Sequence, residues 1–111
     1  MWIAFLEQNF VCGASPIHYR GWVDEKTAIA MFAALAQETR FSAFRLLADK
    51  PDGLSSGEIA TRLKVPQNTM STHMGILARA GLVSSTRRSR SIIYQAETKA
   101  AKAVDRFLSA G

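Results

Sequence analysis

The clearest alternation of apolar and polar positions lies between Pro66 and Gly81. At about 100° per residue, Met70, Met74 and Leu77 fall on one stripe of a helix. The opposite side is polar, contains no acidic residue, and consists of Asn68, Ser71, Thr72, Gly75 and Arg79. Pro66 fits a first helical position and Gly81 fits the left-handed residue after the last turn. The pattern therefore predicts one helix with a packed face and an exposed polar face.

Two short segments rich in β-branched and aromatic residues follow this helix, at residues 82–86 and 91–95. They flank the basic tetrapeptide Arg87-Arg88-Ser89-Arg90 and predict a β-hairpin with a basic turn. A polar helix followed by a basic hairpin is the order of elements in a winged helix-turn-helix.

Helical patterns also precede the polar helix. One begins at Asp24 and places Ile29, Phe32 and Ala33 on an apolar stripe, with few charges elsewhere, so we expect it to pack against its own domain and against a second copy. The next, at residues 39–50, is expected to point Arg40 and Arg45 away and to face the core with Phe41, Phe44, Leu47 and Ala48.

A third helix is predicted to start at a capping box in residues 55–58, where a serine hydroxyl and Glu58 satisfy backbone N–H groups reciprocally. It must end before Pro66. A last helix is predicted at residues 97–109. The expected fold is mainly α (α+β), a winged helix-turn-helix of about five helices with a two-stranded hairpin wing.

The chain has 111 residues, 48% of them apolar, which is enough for one modest domain. Residues 1–23 show no sustained period, and we interpret them as an extension that is partly disordered or as the result of a start placed too far upstream. The exposed amides, hydroxyls and guanidinium of the polar helix suit base edges and phosphates, and the apolar first helix can also be buried against a second copy, so residues 24–111 are expected to form the DNA-binding and dimerisation domain.

The positive charge is concentrated on the predicted helix and hairpin. The net charge is +5, yet residues 66–95 contain four arginines and no other charged residue, so the rest of the chain contributes only +1. A basic patch on a nearly neutral domain is typical of proteins that bind a polyanion. A solvated hairpin without a partner is the alternative.

The number of cysteines, the hydropathy of the chain and the placement of its reactive side chains argue against several other classes of protein. The single cysteine, Cys12, excludes an internal disulfide framework and a cysteine-rich zinc finger, and a reducing cytoplasmic location fits best. No run of about 18 apolar residues predicts a membrane span. Cys12 and His73 lie in unrelated segments without a third orienting group, so we expect no enzyme activity.

Three motifs together resemble the ArsR/SmtB family of winged-helix transcriptional repressors. Residues 36–40 are similar to the family's L-x-D/E-x-T-R opening of the second helix, residues 67–77 to its Q-x-T-V-S-x-H-L-x-x-L recognition helix, and residues 80–83 with Arg90 and Tyr94 to its wing. The resemblance implies a homodimer through the first and last helices that binds an imperfect palindrome and releases DNA when an inducer binds.

The resemblance implies DNA contacts by Gln67, Ser71 and Thr72 of the recognition helix and by the wing residues Arg87, Arg88 and Arg90. The helical wheel places Ser71 and Thr72 on the polar face, together with Asn68 and Arg79, whose amide and guanidinium suit base edges and phosphates. His73 lies about 100° from Thr72, towards the packed side, where it is interpreted as a structural or phosphate-positioning residue rather than a base reader.

The family's metal-sensing residues are missing. Ser55 and Gly57 stand where arsenic and cadmium sensors carry a C-x-C pair, and the last helix offers only Glu97 and Asp105 as ligands. Soft metalloids need converging thiolates and divalent metals need several converging His, Asp or Glu groups. We therefore expect neither a metal nor a cofactor in residues 24–111, and the inducer is unidentified.

The sequence predicts a dimeric, sequence-specific repressor that places its recognition helix in the major groove of double-stranded DNA. The alternative is a winged-helix module that holds an acidic protein on its basic face and has no specific DNA site. Selective affinity for DNA distinguishes the two.

Overall fold

The computed structural model describes residues 23–110, which form five helices and three strands. In chain order these are α1 (Glu25–Leu35), α2 (Glu38–Ala48), β1 (Leu54–Ser55), α3 (Ser56–Leu63), α4 (Gln67–Arg79), β2 (Val83–Arg88), β3 (Ser91–Ala96) and α5 (Thr98–Ala110). The predicted winged helix-turn-helix fold is confirmed.

Side chains that precede the first turn cap α1, α2 and α3. The Asp24 carboxylate accepts from the backbone N–H of Thr27 at 2.7 Å, and the Gln37 amide oxygen accepts from that of Arg40 at 2.9 Å. At α3 the predicted capping box is present, because the Ser55 hydroxyl accepts from Glu58 N while the Glu58 carboxylate accepts from Ser55 N. These bonds satisfy N–H groups that a helix start leaves unpaired.

A left-handed residue follows both α3 and α4. Lys64 has φ +59°, and Val65 N donates to Ala60 O at 3.0 Å; Gly81 has φ +84°, and Leu82 N donates to Leu77 O at 3.0 Å. In both cases the N–H group bonds to the carbonyl five residues earlier, which is a common way to end a helix sharply. Pro66 lies one position outside α4 rather than in its first turn.

The sheet contains one strand more than predicted. The strand order is β1-β3-β2, all antiparallel, and the additional strand β1 pairs Leu54 with Tyr94 and Ser55 with Ile93. Gly53 precedes it with φ +85°, and a Cβ there would lie 2.6 Å from Tyr94 O. Because β1 runs directly into α3, this pairing joins the helix-turn-helix to the base of the wing.

The core lies between the helices and the sheet. Its largest fully buried side chains are Met31, Leu47, Ile59, Met70, Met74, Leu77 and Leu82. No polar or charged residue in the range 23–110 is buried. The apolar stripe predicted for α4 is therefore its packed face, as expected.

The predicted inner faces of α1 and α2 are partly wrong. Ile29 and Phe32 are 58% and 37% exposed, because α1 instead packs through Ala28, Met31 and Ala34. Alanines at this spacing let a helix approach its neighbours closely, whereas the larger side chains fit only on the outside. On α2, Phe41 is 46% exposed and lies under the Arg45 guanidinium.

Candidate nucleic-acid interface

The outer face of α4 is polar, accessible and free of acidic side chains. Asn68, Ser71, Thr72 and Arg79 are exposed, and Gly75 is partly exposed between them. Met70, Met74 and Leu77 are completely buried on the opposite side. Packing of the apolar stripe therefore fixes which side chains a ligand can reach.

The start of α3 supports the first turns of α4. The Ser71 hydroxyl lies 3.4 Å from the Ser56 hydroxyl, with the geometry of a donor to it. A Cβ at Gly57 would lie 3.5 Å from the Gln67 amide nitrogen, so Gln67 covers this glycine. Sequence reasoning missed Ser56 and Gly57 as neighbours of the reading face, because their proximity arises from the turn between the two helices.

His73 is directed towards the body of the domain and not onto the polar face. Its Nδ1 lies 3.2 Å from an Arg40 guanidinium nitrogen, and the Arg40 Nε donates to Ala34 O at 2.7 Å. One arginine thus links the end of α1, the first turn of α2 and the middle of α4. The expectation that Arg40 points away is wrong, because α2 turns this side chain towards α4.

The Arg40 contact fixes the state of the His73 ring. A guanidinium can only donate, so Nδ1 must accept and the remaining proton lies on Nε2. Burial lowers the pKa of His73 below its ordinary value of 6.5, and the neighbouring Arg40 charge lowers it further. His73 is therefore neutral at neutral pH, with an N–H donor on the ring edge away from Arg40.

The wing has a shorter turn than predicted. Arg87 and Arg88 belong to β2 and pair with Ile92 and Ser91, so only Ser89 and Arg90 form the turn. Ser89 has φ +55°, a left-handed conformation that favours glycine. Since neighbouring side chains of a strand point to opposite faces, Arg87 and Arg88 present charge on both sides of the hairpin, and Arg90 presents it at the tip.

Metal ligands do not converge in the range that the structure describes. No three His, Cys, Asp or Glu side chains between residues 23 and 110 are grouped for a metal ion. Cys12 and His18, like the rest of the predicted N-terminal extension up to residue 22, lie outside the described residues. In the same range no helix is long and apolar enough to cross a membrane.

These features define a winged-helix DNA-binding protein, and comparison with known proteins places it more narrowly. A model of a helix-turn-helix domain family matches residues 26–86, from α1 into β2. The chain is 31% identical to the transcriptional activator HlyU of Vibrio cholerae in an alignment of 81 residues, and this alignment covers 73% of each protein.

Solved structures agree with this placement. An ArsR-like transcriptional regulator from Rhodococcus sp. RHA1 superposes with a TM-score of 0.70 at 30% identity, covering 77% of this chain and 78% of that one. The homodimeric winged helix-turn-helix domain of Mb0332 from Mycobacterium bovis superposes with a TM-score of 0.62 at 25% identity, covering 77% and 74%. The chain belongs to the ArsR/SmtB family of DNA-binding transcriptional regulators, which are not enzymes.

The Arg40–His73 contact generates a prediction about pH. Because the unfolded chain protonates His73 near pH 6.5 and the folded chain resists protonation, the free energy of unfolding falls as the pH decreases through 6.5 towards the lower pKa of the folded state. His73→Asn keeps an acceptor near Nδ1 and does not titrate. We expect the thermal midpoint of the wild type to fall more steeply than that of the variant as the pH is lowered from about 7.5 to 5.

Differential scanning fluorimetry of both proteins across this range measures the effect. His18 is present in both proteins and cancels. Arg40→Leu serves as the matched variant. It removes one of the two causes of the lowered pKa, so the pKa of His73 in the folded protein should lie closer to 6.5 and the loss of stability on acidification should be smaller. Parallel pH profiles of the wild type and His73→Asn would contradict the assignment.

Proposed function

We propose that this protein is a homodimeric repressor that binds an imperfect palindromic operator in double-stranded DNA, with α4 in the major groove and the wing on the backbone or in the minor groove. One observation carries the proposal. The exposed face of α4 and the wing together present amides, hydroxyls and four arginines, without an acidic residue anywhere in residues 66–95.

The side chains of α4 suit base edges and phosphates in different ways. Gln67 and Asn68 lie at the exposed start of the helix, and their amides match the paired donor and acceptor of adenine in the major groove. Ser71 adds a hydroxyl on the same helix, and Thr72 presents its side chain beside it. Arg79, near the end of α4, is suited to a phosphate or to guanine. His73 is proposed as a positioning residue whose Nε2 proton is available to a phosphate.

The wing arginines suit the DNA backbone. Arg87, Arg88 and Arg90 are exposed on a narrow hairpin, where long flexible side chains can follow phosphates without reading sequence. Electrostatic contacts of this kind strengthen binding to any DNA and make it dependent on salt. Base selection is thus assigned to α4 and general affinity to the wing.

The dimer is proposed to form through α1 and α5. These helices contact each other within one chain, and both expose large apolar residues: Ile29 and Phe32 on α1, and Leu108, which is 61% exposed, on α5. Burying such side chains against a second copy removes them from water. A dimer then presents two α4 helices about one DNA turn apart, for half-sites about 10 to 11 base pairs apart.

The remaining assignments follow from this proposal. Residues 24–111 act as the DNA-binding and dimerisation domain, in the cytoplasm. Repression is the direct consequence of occupying an operator that overlaps a promoter.

Substitutions in α4 and in the wing are expected to act differently on DNA binding. Arg88→Ala or Arg90→Ala should weaken binding to all duplexes and reduce the salt slope by about two units, as expected for the loss of one phosphate contact in each of the two protomers. Gln67→Ala should leave the slope unchanged and reduce the preference for the operator, by about 1–3 kcal/mol for each half-site in which an adenine contact is lost.

Fluorescence-anisotropy titration against the chain's own promoter and a scrambled duplex, at several salt concentrations, measures both quantities. Arg45→Ala is the control, because Arg45 is an exposed cation on α2 that stacks on Phe41 outside the proposed interface. Weak binding that is equal for both duplexes and is lost at higher salt would instead favour a basic surface that holds an acidic protein. Wing variants that change base preference would contradict the assigned roles.

A negative charge introduced on α1 tests the proposed dimer interface. Ile29→Glu should convert the dimer to a monomer, because it places an unpaired carboxylate in an apolar contact. Sedimentation velocity gives the mass, and circular dichroism shows whether the fold persists. Ile92→Glu is the matched control, since Ile92 is 41% exposed but lies in the wing. Equal masses for wild type and Ile29→Glu would exclude α1 from the interface.

A further inference from the structure

Gly75 lies in the middle of α4, where glycine destabilises a helix relative to alanine. Nothing in the described fold requires it. Its φ is not positive, unlike that of Gly53 and Gly81. A Cβ at this position would meet only the end of the flexible Arg79 side chain, at 3.6 Å, which is an ordinary contact. The missing side chain therefore does not serve packing within the protein.

Gly75 lies on the outer face of the helix. On the helical wheel it falls between Ser71 and Asn68, on the side away from the buried Met70, Met74 and Leu77. At this place only the end of the flexible Arg79 side chain lies over the helix backbone, so a large ligand that displaces or binds this guanidinium can approach the backbone more closely than it could with any other residue.

Thr72 borders the same place, three residues before Gly75. Its hydroxyl donates to Asn68 O within the helix at 3.3 Å. Because the hydroxyl is turned to the backbone, the other branch of the side chain, the Cγ2 methyl, is directed away from that carbonyl. Thr72 is exposed, so this methyl is accessible at the edge of the surface that Gly75 leaves open.

We propose that Thr72 and Gly75 form a van der Waals surface that receives the 5-methyl group of a thymine in the major groove. Gly75 permits close approach of α4 to the base edges, and the Thr72 methyl packs against the thymine methyl. Thymine is the base that presents a methyl group in this groove, and threonine methyls are suited to contact it. The inference rests on the proposed function and assigns one base of the operator to one side chain.

The test begins with an operator selected from random duplexes by the full-length protein, in which each thymine is then replaced singly by uracil. Removing the 5-methyl at one position of a half-site should weaken wild-type binding by about fourfold, the effect of exposing one buried methyl. Thr72→Val, which keeps the methyl and lacks the hydroxyl, should retain this sensitivity.

Thr72→Ser makes the opposite change to Thr72→Val, because it keeps the hydroxyl and removes the methyl. It should bind the thymine duplex as weakly as the wild type binds a duplex with uracil at this position of both half-sites, because both protomers of the dimer carry the substitution, and it should no longer distinguish thymine from uracil there. Thr98→Ser, which removes a methyl at the exposed start of α5, should behave as the wild type. Loss of affinity in Thr72→Val together with full affinity in Thr72→Ser would show that the hydroxyl makes the contact and would overturn the proposal.

Gly75→Ala separates folding from binding. Its thermal midpoint should rise, because alanine favours the helix and meets no close neighbour, while affinity for the selected operator should fall about tenfold, the effect of losing one good base contact. Full operator affinity in this variant would overturn the proposal. So would an operator in which uracil is tolerated at every thymine, whereas failure to select any preferred sequence would overturn the proposed function itself.

Discussion

The burial of Met70, Met74 and Leu77 is the constraint on which the functional surface depends. All three are inaccessible to solvent, and they lock α4 against the core in one rotational setting. Since a helix rotated by one residue turns by about 100°, any other setting would expose a methionine and bury an uncompensated amide or hydroxyl. The hydrophobic core therefore decides that Asn68 and Thr72 face outward.

Polar contacts refine this setting without burying charge. Arg40 joins the carbonyl end of α1 to His73 on α4. Ser56, at the start of α3, approaches Ser71, which lies two residues before His73 on the other side of the same helix. The short strand β1 attaches the same α3 to the wing. Helix and hairpin, the two parts of the proposed reading surface, are thus held by one continuous scaffold.

Local patterns made much of this structure predictable. The capping box of α3, the apolar stripe of α4, the left-handed Gly81 and the basic hairpin depend on residues close in sequence, so periodicity and turn chemistry reveal them. The inner face of α1 was not predictable in this way. That helix is apolar on more than one side, and only its partners decide that Met31 is buried while Ile29 is exposed.

Contacts between distant segments were also beyond sequence reasoning. Arg40 and His73 are 33 residues apart, and β1 is a two-residue strand whose pairing with β3 depends on the whole domain. The polar composition of the proposed DNA-binding face was evident from the sequence. The orientation of individual groups on it, such as the Thr72 hydroxyl turned back to Asn68, required the structure.

Chemical footprinting on a selected operator tests the central claim most directly. If two α4 helices enter the major groove of one palindromic site, dimethyl sulfate should reveal two groups of protected guanine N7 atoms on one face of the duplex, about 10 to 11 base pairs apart. Hydroxyl-radical cleavage should add backbone protection beside each group, where the wings lie. Uniform protection without spacing, or backbone protection without protected guanine N7 atoms at a site that contains guanines in both half-sites, would contradict the account.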